Sequence, residues 1–508
     1  MGNDISQCKD YTLSKESFGT ASEWVLFEGR RYVSKPIGQA TEEKEADVLD
    51  DIAGNAITVF VGMPEEKRGK MSFLHNNVKM LMTLRHPDLL RFLSWRETSS
   101  RVELVTEHVR PLAELAGRLT ELDISGGLLA VLRALNFLHQ QAGMCHNNVG
   151  QAAVFVTSDG AWRLGGGEFA CRFSDATAER LQQTAVHRYQ PALPPEETEP
   201  QPADRQQWRE SRPWCRDVYA YGLLVDELIG VCVRSDFPGA RHFQAEAKRR
   251  LLARDPLARP ALSELEGHDF FSNEFNQIHR FLTDIVLKSQ EERKTFFIDL
   301  ASRLRAYPEE LVASRLSALC LGRLVLLDGD ACRHFLPRLL SPRVDQFGSA
   351  ECVFGPSVFR RFVVPQLLRI FHVRDAHIRL VLLQHFSKYV EEIPKHLLAE
   401  VILPELLLGI RDTHDQLVAA TLRALADLVP LLGAHVVIGS HRHKHFGNGT
   451  PKATKGSSST PMGQKRVTLA QRLEDVSASV PKLDLSFRPT DGDLADAGWE
   501  EQDWDDLL

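Results

Sequence analysis

The segment Val364-Pro365-Gln366-Leu367-Leu368 returns as Leu403-Pro404-Glu405-Leu406-Leu407, with Pro404 standing 39 residues after Pro365. The same offset pairs Ile378 with Leu417, Leu383 with Leu422, Phe386 with Leu425 and Val390 with Val429. Apolar residues inside each copy recur at helical spacing, so the unit is a pair of helices. One such pair cannot cover its own apolar face and must stack on neighbours. This constraint predicts an α-solenoid without strands over residues 281–440. Thr295–Leu304, Glu310–Leu327 and Phe335–Leu340 supply further helices at looser spacing.

Upstream the pattern changes. Strand-like runs fall at Trp24–Phe27, Ile57–Val61 and Val102–Thr106, and a helical pattern runs from Lys67 to Leu84, where Pro87 discourages continuation. Helices are predicted over Ser125–Gln141 and from Asp217 onward, with a proline-rich loop at Gln190–Pro202 between them. The acidic stretch Gln39–Asp51 has no apolar period and reads as a loop insertion. A strand-rich start and a helical remainder define a two-lobed α+β domain over residues 1–280.

The 508 residues exceed what one core serves, and 43% hydrophobic with 25% charged residues suits a folded chain. A net charge of −7 argues against nucleic acid as a partner. Eight cysteines without a C-x-x-C pair point to a reducing, intracellular compartment, with neither a zinc site nor a disulfide framework. No uninterrupted apolar run reaches the roughly 18 residues of a membrane span, and no secretory leader is recognised. Met1-Gly2-Asn3-Asp4-Ile5-Ser6 fits the N-myristoylation pattern at Gly2, against the plain reading of a small residue after the initiator. A single acyl chain binds membranes marginally, so palmitate on Cys8 is the candidate second signal. Beyond Ser440 a Gly/Ser/Thr/Lys-rich composition predicts a disordered tail over 441–508. His441, His443 and His445 read there as part of a solvated basic run rather than as metal ligands. Trp499 and Trp504 sit among carboxylates near its end and suit a docking peptide, or simply a solubilising terminus.

Ordered landmarks in the first 280 residues resemble a protein kinase. They are His86-Pro87-Asp88-Leu89-Leu90, Phe137-Leu138-His139, Cys145-His146-Asn147-Asn148-Val149, Pro194-Pro195-Glu196, Asp217-Val218-Tyr219-Ala220-Tyr221-Gly222, and Asp255–Pro260 with His268-Asp269-Phe270-Phe271. Glu196 and Arg259 take the positions of a buried ion pair, and Asp217 that of a helix-start carboxylate that binds catalytic-loop backbone. These parts serve folding whether or not the domain catalyses.

The parts that serve phosphoryl transfer are missing. No G-x-G-x-x-G precedes Thr58–Val61, and V-A-I-K is replaced by Val59-Phe60-Val61-Gly62. Asn77 stands at the helix glutamate. Asn148 stands at the catalytic base, where an amide cannot accept the substrate proton. Ala153 stands at the metal-binding asparagine and Gly166 at the D-F-G aspartate, so two magnesium ligands are lost. Glu168 follows the turn and is not counted as a substitute. No catalytic residue, metal or cofactor is therefore expected.

Leu84–Pro87 with Leu89–Ser94, His146–Val149, Val154-Phe155-Val156 and Leu403–Thr413 are similar to the Scy-like family, in which an inactive kinase domain is joined to HEAT or armadillo-like repeats and a variable tail. The resemblance implies a scaffold that binds the carboxyl-terminal domain of ezrin, an acylated Gly2, and residence in cytoplasm, at the Golgi and in lamellipodia, with roles in adhesion and migration. Two other readings stay open: a trafficking factor that binds vesicle-coat or adaptor subunits, and an atypical Ser/Thr kinase with displaced ligands.

Overall fold

The computed structural model describes residues 11–31, 56–62, 68–98, 101–198, 212–234, 236–342 and 352–439. Gly2, Cys8, the acidic stretch Gln39–Asp51, the tail over 441–508 and its Trp499 and Trp504 lie outside the described residues. Five antiparallel strands open the chain: β1 (Tyr11–Ala21), β2 (Trp24–Arg31), β3 (Ala56–Gly62), β4 (Phe92–Glu97) and β5 (Val102–Glu107). Their order is β1-β2-β3-β5-β4, which leaves β1 and β4 as edges. The central strands β3 and β5 are buried on both faces, which is why they read as unbroken β-branched and aromatic runs. Ile57, Val59 and Val61 pack with Tyr11 and Val105 on one face, and Phe60 joins the main core on the other. The edge strands were not expected. Between its buried ends, Tyr11 and Ala21, β1 is mostly exposed and polar, so it carries no apolar period.

Helix α1 (Arg68–Thr83) lays Leu74, Val78 and Leu81, one helical face, against the sheet. Helix α2 (Glu121–Gln140) begins at a reciprocal cap between Thr120 and Asp123. By length and composition alone α2 is long and apolar enough to cross a bilayer, although Glu121, Asp123 and Arg133 interrupt its apolar residues. Its Ile124, Leu128, Val131, Leu132, Leu135 and Leu138 are instead fully buried in the large lobe. Helix α3 (Cys215–Cys232) packs beside it, and the proline-rich segment contains helical turns at Gln190–Ala192 and Pro195–Thr198. A small sheet of β6 (Val109–Pro111), β8 (Val154–Thr157) and β9 (Trp162–Leu164) faces the five-stranded one, and β7 (Met144–Cys145) pairs with β10 (Cys171–Arg172). Beside β9, the backbone of Leu164 exchanges hydrogen bonds with Asp88 and Leu90 at 2.8 and 3.0 Å, joining the segment after α1 to the large lobe.

The core that holds both lobes runs from Ala21 to Phe271, and a second core runs from Phe275 to Val437. The second is built by α4 (Glu274–Thr283), α5 (Gln290–Leu304), α6 (Glu309–Cys320), α7 (Val364–Phe371), α8 (Ala376–Gln384), α9 (Leu403–Gly409), α10 (Asp415–Leu432) and shorter turns. No strand occurs among its described residues. The repeat offset appears in the helix starts: α7 and α9 begin at 364 and 403, and α8 and α10 at 376 and 415. Wide π turns, Phe359–Val363 and Leu398–Ile402, precede α7 and α9, and Pro365 and Pro404 sit in their first turns. A proline there has no N–H to return to the preceding turn, which favours the local widening. The exposed Arg374 and buried Arg379 clasp Glu405 at 3.1 and 2.9 Å and so tie one copy to the next.

The two cores belong to one compact unit that extends to Arg442. At their junction Arg315 of α6 reaches Asp123 at 2.7 Å and passes over Gly160, whose φ is +77°. A Cβ at Gly160 would lie 0.9 Å from the Arg315 guanidinium, so it would displace the end of that side chain as well as strain a backbone conformation that favours glycine.

Candidate functional site: a cleft closed by its own side chains

The catalytic-loop positions are tied into backbone contacts. Asp217 accepts the N–H groups of His146 and Asn147, each at 2.7 Å, and is bonded to His139 at 3.0 Å. Burial pushes its carboxyl upward, but the bonds from His139 and His146 more than offset this and hold it at about 2. His146 donates from Nε2 to the Gly165 carbonyl at 2.7 Å, and its Nδ1 faces the Asn148 N–H at 3.3 Å. Burial lowers the pKa of this imidazole. The neutral tautomer therefore joins the catalytic-loop position to the D-F-G position. Asn147, at φ +64°, donates to the Phe169 carbonyl and accepts from Arg216.

Glu196 and Arg259 form a two-pronged pair at 2.6 and 2.7 Å, with Arg259 fully buried. Arg259 also donates to the carbonyls of Ala253 and Cys215 and lies 4.9 Å from the Tyr219 ring centre. Every donor direction used here is internal to the fold.

The positions that the sequence resemblance matches to kinase chemistry make other contacts. Asn148 accepts the Tyr189 backbone N–H at 3.0 Å, so its carbonyl fixes the following segment. Ala153 presents a methyl group to the turn at Gly166, where φ is +68°; a Cβ on Gly166 would approach the Ala153 Cβ at 2.8 Å. At Gly62, the strand-lysine position, a Cβ would lie 2.5 Å from Leu74 of α1, so no longer stem fits without moving that leucine. Asn77 is buried and joins two neighbours: its Oδ1 accepts the Gly167 N–H at 3.1 Å, and its Nδ2 donates to Glu168 at 3.2 Å. Asn76 adds donations to the carbonyls of Gly167, Glu168 and Ala170. Amides thus hold α1 against the large lobe where a kinase uses an ion pair.

Sequence reasoning set Glu168 aside, yet this residue lies inside the cleft. Its Oε1 accepts the Trp24 indole N–H at 2.7 Å, and Oε2 is buried with no hydrogen-bond partner. Burial, opposed by its own backbone N–H and Trp24, pushes the carboxyl up to about 7. Trp24, the first residue of β2, is 1% exposed and meets Phe60 of β3 edge-on at 6.1 Å. Phe60 in turn meets Phe155 of β8 at 5.2 Å. Because β3 belongs to the five-stranded sheet and β8 to the small sheet, this ring stack spans the gap between the lobes. The phenyl of Phe60 in place of the alanine of V-A-I-K was a readable signal. Trp24 and Glu168 lie 144 residues apart and gave none.

Rings from both sheets meet between them, and among the described residues no group of three or more His, Cys, Asp or Glu side chains is placed to hold a metal ion. The fold and cleft define a kinase-like protein with a β-sheet small lobe, a large lobe and a helical C-terminal region. No protein-family model matches the chain. The chain is 38% identical over 491 residues to a mouse protein named for associating with the carboxyl-terminal domain of ezrin, an alignment covering 94% of this chain and 63% of that protein. It is 23% identical to a probable inactive serine/threonine-protein kinase, scy1, of Dictyostelium discoideum, over 76% of this chain and 46% of the other. The crystal structure of Cex1p superimposes with a TM-score of 0.50 at 17% identity, over 86% of this chain and 76% of that one, a likeness of fold alone. The chain is thus similar to Scy1-like proteins along most of its own length. It spans less than two thirds of the length of these two sequence relatives.

Proposed function

We propose that the protein is a non-catalytic, kinase-shaped scaffold that holds partner proteins at cytoplasmic membranes. One observation carries this reading: Trp24, Phe60 and Phe155 occupy the space between the lobes, while Asn148 spends its carbonyl on the Tyr189 backbone. A site that acts by placing charge around a triphosphate has here neither the charge nor the space. The domain order of the scaffold is a kinase-like part over 1–280, HEAT or armadillo-like repeats over 281–440 and a tail over 441–508.

The carboxyl-terminal domain of ezrin is the proposed partner, on the strength of the mouse relative's name. Gly2, with Cys8 as a second acylation site, is the proposed membrane attachment, and cytoplasm, Golgi membrane and lamellipodia the proposed locations. Trp499 and Trp504 are proposed to dock onto coat or adaptor subunits.

Thermal denaturation of the full chain with and without magnesium-ATP tests the central claim. A ligand at about 100 times its Kd stabilises a fold by about 2.7 kcal/mol, a shift of several degrees. No shift and no transfer of labelled phosphate are expected. A shift accompanied by transfer would establish the atypical-kinase alternative.

A further inference from the structure

We propose that a basic groove between the small-lobe sheet and the helical region binds an acidic peptide of a partner protein. The groove encloses about 1230 Å³, beyond the roughly 300–1,000 Å³ common for small-molecule pockets. Its walls come from the ends of β1, β2 and β3 on one side and from α6, α7 and the π turn before α7 on the other. Six arginines line it: Arg30, Arg31 and Arg91 on the sheet side, Arg360, Arg361 and Arg369 on the helical side.

The carboxylates in the lining cancel only part of this charge. Of Glu28, Glu107 and Asp159, the first is held by Arg110 at 3.0 Å and the second by Arg163 at 3.3 Å, both arginines from outside the groove. Arg360 is bonded to Glu392, but Arg361 and Glu310 meet at 3.6 Å with both side chains about 70% exposed. Arg31 and Arg91 are exposed and have no acidic partner among the described residues. Leu13, Leu93, Phe362 and Leu368 provide an apolar floor between the charges.

Guanidinium groups on two facing walls, over an apolar floor, match an extended segment in which carboxylates alternate with bulky apolar side chains. The groove is concave and two-walled, so a flat bilayer cannot reach its floor. This inference rests on the scaffold reading only in assuming a protein partner. The groove is separate from the cleft, so its test and the nucleotide test can fail independently.

Fluorescence anisotropy of the full chain with a labelled peptide of alternating Glu and Phe provides the test. A peptide with Gln in place of each Glu is the control. Binding should be saturable, weaken with salt and require the Glu side chains. Each of Arg31→Glu/Arg91→Glu and Arg361→Glu/Arg91→Glu should weaken it about tenfold or more, by turning attraction into repulsion on one wall or both. These side chains are exposed, so the variants should melt like the parent. Arg249→Glu, on the exposed surface of the large lobe, should leave binding unchanged. Equal losses at Arg249, or equal binding of the Gln peptide, would overturn the proposal. So would binding that appears only after residues 39–51 are deleted, which would assign the groove to that acidic stretch of the chain itself. Loss of binding to phosphatidylserine vesicles in the same variants, without binding of the peptide, would reassign the charge to lipid and overturn it as well.

Discussion

Replacing Glu168 by glutamine should flatten the pH dependence of stability. In the folded chain this carboxyl is raised from 4.5 to about 7 by burial, against its own backbone N–H and the Trp24 indole, which favour the charged form. Between these values the folded state holds a proton that the unfolded state has released. The contribution is thus fully present below about pH 4.5 and is lost as pH rises through about 7. At about 1.4 kcal/mol per pH unit the whole effect is about 3 kcal/mol, most of it between pH 5 and 8. Glu168→Gln keeps the acceptor for the Trp24 and Asn77 donors, at 2.7 and 3.2 Å in the parent, but cannot ionise. Its amide meets the same partnerless space as Oε2, a cost that does not vary with pH. The readout is therefore the difference in urea midpoint between parent and variant across pH 5 to 8. Other titrating groups, such as Asp88 raised to about 6, act in both proteins and cancel in that difference. The parent should lose stability relative to the variant as pH rises. Parallel curves would refute the claim that the cleft holds this carboxyl protonated.

Arg259→Ala leaves the Glu196 carboxylate buried without its partner and should cost about 3–5 kcal/mol in thermal or urea denaturation; a loss under 1 kcal/mol would mean the pair is not closed in solution. Gly160→Ala should destabilise by about 1–2 kcal/mol, because it strains a φ of +77° and displaces the Arg315 guanidinium. Combined with Arg315→Ala it should cost less than the sum of the two single changes, and strict additivity would show that the two residues do not share one joint.

What could be read in advance follows from where information sits along the chain. The residues around His146, Asp217, Glu196 and Arg259 fix the backbone through contacts that recur in a known order, so their roles were legible from short motifs. The 39-residue offset was legible because Pro365 and Pro404 mark the same point of two equivalent helices. Central strands β3 and β5 announced themselves through continuous burial. Edge strands β1 and β4 did not, since an edge strand with few buried residues looks like polar loop. The closure of the cleft was the hardest part to foresee. Trp24, Phe60, Phe155 and Glu168 come from four distant segments, and each has an ordinary local reading as a strand residue or a turn carboxylate. Only the packed lobes show that they meet.

The ring stack from Trp24 through Phe60 to Phe155 also bears on motion. In a working phosphotransferase the lobes open and close around a departing product, and occupancy of the slot sets their spacing. Here an indole and two phenyl rings belonging to the chain itself meet between the lobes. For the proposed scaffold, a partner docking on the outer surfaces would meet lobes spaced by side chains of the chain itself.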